Sequence, residues 1–214
     1  MSTLKIFKKF IPACLILIGF SFAVPHGLAL AEGGGTEREN VIKFVPDDSL
    51  FKPNPEGPFK MENFNFLEGK WVVYSRSLLE RMSTETVWLE NTMETEYTIL
   101  LGGLIALNNT YGTFNNNPMD AVMYRAYDPD KDEWVMHWMS RAYPHLTEQV
   151  RGNFKDGVGI FYGTEVNRGR TFKMRFRWVR LAEDHALWDQ AYQNPETGEW
   201  QTNWVLELTR IKKD

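Results

Sequence analysis

The chain has 214 residues, with 24 Lys or Arg against 28 Asp or Glu, 43% hydrophobic and 24% charged residues. That balance belongs to a globular protein and excludes a disordered chain, a collagen-like repeat and a polytopic membrane protein. The single cysteine, Cys14, excludes a disulfide framework and a Cys-based zinc site.

The first segment carries Lys5, Lys8 and Lys9, then an apolar run over residues 10–22, then Ala29-Leu30-Ala31. A basic start, a short apolar stretch and small residues at a peptidase's spacing predict a signal peptide over 1–31, with the mature chain starting at Glu32 and exported to a periplasmic or secreted location. Pro12 interrupts the apolar run and Pro25 ends it, short of the roughly 20 residues a spanning helix needs, so no stable membrane insertion is expected after cleavage. Removing residues 1–31 takes away three lysines and no acid, which moves the net charge from -4 to -7. A chain this acidic, without a basic run, is expected to bind no nucleic acid.

Residues 32–63 contain Glu32-Gly33-Gly34-Gly35 and Pro46, Pro53, Pro55 and Pro58, a composition that predicts a flexible N-terminal arm or linker. From 64 to 214 the pattern changes to short alternating runs separated by turn residues, and aromatic residues reach 14% of the chain. Strands are predicted near 69–77, 85–97, 101–107, 119–127, 133–140, 147–154, 157–163, 170–180, 186–193 and 200–210. Asp128-Pro129-Asp130 and Asn194-Pro195-Glu196 follow type I turn chemistry, and Lys155-Asp156-Gly157 marks a tight hairpin. About ten antiparallel strands joined by hairpins are expected to close on themselves, so the predicted fold is an all-β, closed antiparallel barrel.

Alternation assigns faces. With Glu183-Asp184 and 195–198 as loops, Phe176 and Trp178 fall with Asp189, Ala191, Thr202, Trp204 and Leu206, while Arg175, Arg177, Trp188, Gln190, Tyr192, Gln201, Asn203 and Glu207 share the other face. The apolar face is expected inside, because burying two guanidiniums costs several kcal/mol unless each is paired. Trp138, Phe176, Trp178 and Trp204 are therefore candidate ligand-lining residues. Turned the other way, Arg175, Gln190, Tyr192 and Asn203 would form a polar pocket able to grip a carboxylate. Glu90, Glu94 and Glu96 alternate with an apolar row and read as a solvated outer face rather than an acid-base pair.

The run Asn63-Phe64-Asn65-Phe66-Leu67-Glu68-Gly69-Lys70-Trp71 resembles the opening of a family of uncharacterised bacterial lipocalin-like proteins in the calycin superfamily. The resemblance continues through Gly152 to Gly163, Arg175-Phe176-x-Trp178, Trp188-x-Gln190-Ala191 and Thr202-Asn203-Trp204, ending at Thr209-Arg210. It implies a lipocalin-like barrel in which Trp71 plugs one end and Arg210 lies across it, a structural closure rather than a catalytic pair. Haem ligation by His137 or His145 is disfavoured, because Val72-Val73-Tyr74-Ser75 follows Trp71 where haem-binding barrels carry a Gly-x-Gly strand; no metal site is assigned. The expected function is binding of a small apolar or amphipathic molecule. An isomerase or lyase using polar barrel residues, and a structural envelope protein with a filled barrel, remain open alternatives.

Overall fold

The computed structural model describes residues 41–212 apart from 55, 60, 115, 116 and 148; the segment read as a signal peptide and the first residues of the arm lie outside the described residues. The described strands are β1 (Val41–Ile42), β2 (Gly69–Leu78), β3 (Trp88–Leu100), β4 (Ile105–Phe114), β5 (Asn117–Asp128), β6 (Glu133–Ser140), β7 (Val150–Lys155), β8 (Val158–Asn167), β9 (Arg170–Ala182), β10 (His185–Gln193) and β11 (Trp200–Arg210). From β2 to β11 each strand pairs antiparallel with the next, and β11 returns to pair with β2. The fold is thus an all-β, closed antiparallel barrel of ten strands with calycin-like topology. About eight strands enclose a space that side chains just fill, so ten leave a wider interior.

Turn chemistry sets this register. Asp156 and Gly157 both have positive φ, as do Arg168 and Gly169, so β7–β8 and β8–β9 are joined by two-residue turns whose twist matches the strands. Gly152 lets two strands approach closely: a Cβ there would stand 2.1 Å from the Ile160 carbonyl oxygen.

The sequence places all ten barrel strands, but the faces of β10 need correcting. His185 pairs with Ala182 and Ala186 with Arg180, which leaves Leu181 as an extra residue in β9. That bulge shifts the parity by one, and a one-residue slip turns every later side chain over. Trp188 therefore lies opposite Trp178, and Gln190 opposite Phe176, inside the barrel, whereas Asp189 and Ala191 turn outward with Arg175 and Arg177. A second irregularity at Gln190/Ala191 brings Asn203 in beside Gln190, whose Nε2 donates to Asn203 Oδ1 at 2.9 Å, and turns Thr202 out to pair with Ala191. The β4 strand also runs to Phe114, beyond the 107 expected from sequence, because its polar residues Asn108 and Thr110 face the interior.

One end of the barrel is plugged. Trp71 is fully buried and its indole N–H donates to the Leu67 carbonyl at 2.6 Å. The Arg210 guanidinium carbon lies 4.2 Å from the centre of the Trp71 ring and its nitrogens donate to the carbonyls of Glu68 (2.5 Å) and Phe66. Phe64 completes the stopper, with its ring against Trp134, Phe154, Phe161 and Trp178 at centroid distances of 4.9 to 5.9 Å.

Residues 41–51, within the stretch read as a flexible arm, lie along the barrel wall. β1 pairs with Leu89 and Trp88 of β3, Phe44 packs edge-on against Trp88 at 5.0 Å, and a 3-10 turn (Asp48–Phe51) is capped by the Asp47 carboxylate on the Ser49 N–H. Phe51 caps a small outer cluster with Val179 and Leu187. Next to it Arg177 binds Asp189 through Nε at 2.9 Å and also reaches Asp48, so the outward charges are covered rather than solvated.

Candidate functional site

Opposite the plug, the barrel end bounded by the β2–β3, β6–β7 and β10–β11 loops is less tightly filled. Met119, Met123, Trp138, Trp204 and Leu206 occupy interior-facing register positions yet remain only half-buried, whereas Trp71, Phe64, Trp134, Phe161 and Trp178 at the other end are buried. These interior side chains keep accessible surface towards this end. The β2–β3 loop leans across its rim: Arg81 donates to the Tyr192 hydroxyl (2.5 Å) and to Glu165 (3.2 Å), and the Met82 N–H donates to Gln201 Oε1 at 2.6 Å.

Of the residues singled out from sequence, Trp138, Phe176, Trp178, Trp204, Gln190, Tyr192 and Asn203 all face inward. Phe176 and Trp204 meet on either side of Trp188, with centroids 4.9 and 5.3 Å away, and Tyr192 stacks on Phe172 at 5.4 Å. Arg175 does not join them. It projects from the outer surface, where its guanidinium carbon lies 4.8 Å from the centre of the Trp200 ring, because the β9 parity that carries Phe176 inward carries Arg175 outward. His137 is also on the wall's outer side, its Nδ1 2.9 Å from the Thr147 carbonyl, and His185 lies 3.1 Å from Glu207. Among the described residues no three His, Cys, Asp or Glu side chains converge.

The interior arginine is Arg125, which sequence reasoning missed. It is 3% exposed, its Nη1 donates to Asn108 Oδ1 at 2.6 Å, and its guanidinium carbon lies 5.0, 5.5 and 5.7 Å from the ring centres of Phe64, Tyr97 and Trp178. Asn108 is itself oriented: its Nδ2 donates to Thr95 and Thr110 hydroxyls, each at 3.0 Å, which leaves its oxygen for the arginine. A signal was present in the sequence, since Arg125 falls in phase with Ala121, Met123 and Tyr127 on one face of β5. Across the barrel Ser75 accepts from the Trp204 indole at 2.8 Å, so a polar strip runs through an otherwise aromatic interior.

Burial lowers the Arg125 pKa and pushes the hydroxyls of Tyr97 and Tyr192 above the ordinary tyrosine value, the neighbouring arginines offsetting only part of the effect. The folded protein therefore keeps both protons where tyrosines of the unfolded chain lose theirs, near pH 10. The unfolded state then binds fewer protons, so stability falls as pH rises through about 10. Urea midpoints measured from about pH 8 to about pH 11 should show this loss, and a Tyr97→Phe, Tyr192→Phe double variant should flatten it.

The ten-stranded antiparallel barrel, stoppered at one end by a Trp–Arg pair and crossed by a polar strip, has a calycin-like topology. The chain belongs to the family described as protein of unknown function (DUF1579), whose family model matches residues 60–210. No curated protein matches the sequence. Among solved structures it is similar to the S-type phycobiliprotein lyase CPES from Guillardia theta (10% identity, 71% of this chain and 92% of that one, TM-score 0.49). It is also similar to Rv2717c from M. tuberculosis (12%, 70% and 95%, 0.44) and to a redesigned β-barrel (8%, 71% and 96%, 0.39). No helix among the described residues is long and apolar enough to cross a membrane.

Proposed function

We propose that this protein is an exported carrier or sensor that holds one small apolar or amphipathic molecule in the open half of its barrel. The observation that carries the reading is the partial exposure of Met119, Met123, Trp138, Trp204 and Leu206 at inward-facing positions. Flexible thioethers and flat indoles bury a ligand's apolar surface while adapting to its outline. Export rests on the basic and apolar segment of residues 1–31 alone.

An uncharged probe, 1-dodecanol, titrated into the purified protein should quench or blue-shift tryptophan emission through Trp138 and Trp204 with micromolar-range affinity, about -8 kcal/mol. Arg175→Ala should leave that affinity within about twofold, because the residue lies outside on Trp200. An unresponsive, fully folded protein that also carries no co-purifying molecule in native mass spectrometry would point instead to a filled structural barrel.

A further inference from the structure

We infer that the barrel interior contains an anion subsite, centred on Arg125, that takes the carboxylate group of its ligand. The inference rests on the binding reading above and names the chemistry of what is bound.

Several of the other buried or half-buried arginines have acids, whereas Arg180 and Arg210 bind backbone carbonyls and Arg175, on the outer wall over Trp200, has an Nε–H without an acceptor. Arg177 has Asp189 and Asp48, Arg76 has Glu90 and Glu207, and Arg81 has Glu165. Arg125 is more deeply buried than any of these, yet no carboxylate among the described residues lies within ion-pair distance of it. Its partners are the Asn108 amide oxygen, the Tyr97 hydroxyl and three aromatic faces, and its Nε–H has no acceptor. A buried charge without a counter-charge is strongly unfavourable, so a site that keeps one is arranged to receive the other half.

The neighbouring orphans have the same sense. The Trp178 indole N–H, on a ring beside the guanidinium, is buried without an acceptor. Towards the rim, Asn91 Nδ2 and Asn203 Nδ2 are likewise buried and unpaired. All four of these inward-facing groups are donors. An interior that presents unmatched donors and one unmatched positive charge selects a ligand that supplies acceptors and a negative charge. A neutral apolar molecule would leave each of them unsatisfied, at the full desolvation penalty.

A carboxylate fits the count and shape. Asn108, locked by Thr95 and Thr110, occupies Nη1 and leaves the Nε edge of the guanidinium plane for a planar, two-oxygen acceptor. The headgroup would sit deep, against the Phe64 and Trp178 side of the plug, and the apolar body would extend past Met123, Leu206 and Trp204 towards the rim.

The test compares dodecanoate with 1-dodecanol, which share a chain and differ in the headgroup. Dodecanoate should bind the native protein at least about tenfold more tightly. Arg125→Met and Arg125→Gln should abolish that preference and bring the acid down to the affinity of the alcohol. Equal binding of acid and alcohol by the native protein would overturn the anion subsite while leaving the binding reading in place; binding of neither would overturn both. Should the variants fail to fold, dodecanoate labelled with 13C at the carboxyl carbon, bound to the native protein, gives an independent reading. Its NMR titration midpoint should lie below that of the free acid, and a midpoint at or above the free value would refute the contact.

Discussion

Trp71→Ala is expected to lower stability by about 3–5 kcal/mol, the range for deleting a large aromatic side chain from a packed interior. The indole is fully buried, donates to the Leu67 carbonyl, and carries Arg210 on its face. Its removal empties the centre of the stopper and leaves that carbonyl unmatched. Arg210→Ala removes only the outer layer of the same closure, the stacking and the bonds to the Glu68 and Phe66 carbonyls, and should cost about 1–3 kcal/mol. Urea denaturation of both variants gives the comparison. An Arg210→Ala midpoint equal to that of the native protein would show the guanidinium to be a bystander.

Asp189→Ala should be equally severe. The carboxylate is 1% exposed and binds Arg177, itself 8% exposed, and Asp48 is a mostly solvated second partner unable to replace it. Removing one member of a buried ion pair strands the other and typically costs about 3–5 kcal/mol. Replacing both, as Arg177→Met with Asp189→Leu, takes away the stranded charge together with its partner. The double variant should therefore recover most of the loss in the same denaturation assay. A single variant within about 1 kcal/mol of the native protein would mean that Arg177 finds adequate solvation beneath Phe51.

Strand positions were legible because the turns announce themselves: Asp128-Pro129, Lys155-Asp156-Gly157 and Asn194-Pro195 each end one alternating run and begin another. The stopper was legible as well, since Trp71 lies near the start of the first barrel strand and Arg210 ends the last. The faces were less so. A bulge at Leu181 has no marker in composition, yet it alone decides whether Trp188 and Gln190 or Asp189 and Ala191 point inward. Arg125 was passed over for a related reason. An arginine in an alternating strand is ordinarily assigned to solvent by its charge, and only its phase with Met123 and Tyr127 contradicts that assignment. The orphaned donors around it depend on three-dimensional neighbours drawn from five strands, which no local spacing encodes.

The two residues of β1 have an effect out of proportion to their length. β4 stays hydrogen-bonded to β3 only as far as Met93, opposite Gly112, so β3 continues to Trp88 with one side unmatched by the barrel. Val41 and Ile42 occupy the end of that exposed ladder at Leu89 and Trp88. Without them, a row of open backbone donors and acceptors flanked by Trp88 and Leu89 would be a template for another chain's strand. The leading segment thus covers a strand edge of the barrel, and a chain shortened to begin after Ile42 should show the loss of that cover as concentration-dependent self-association.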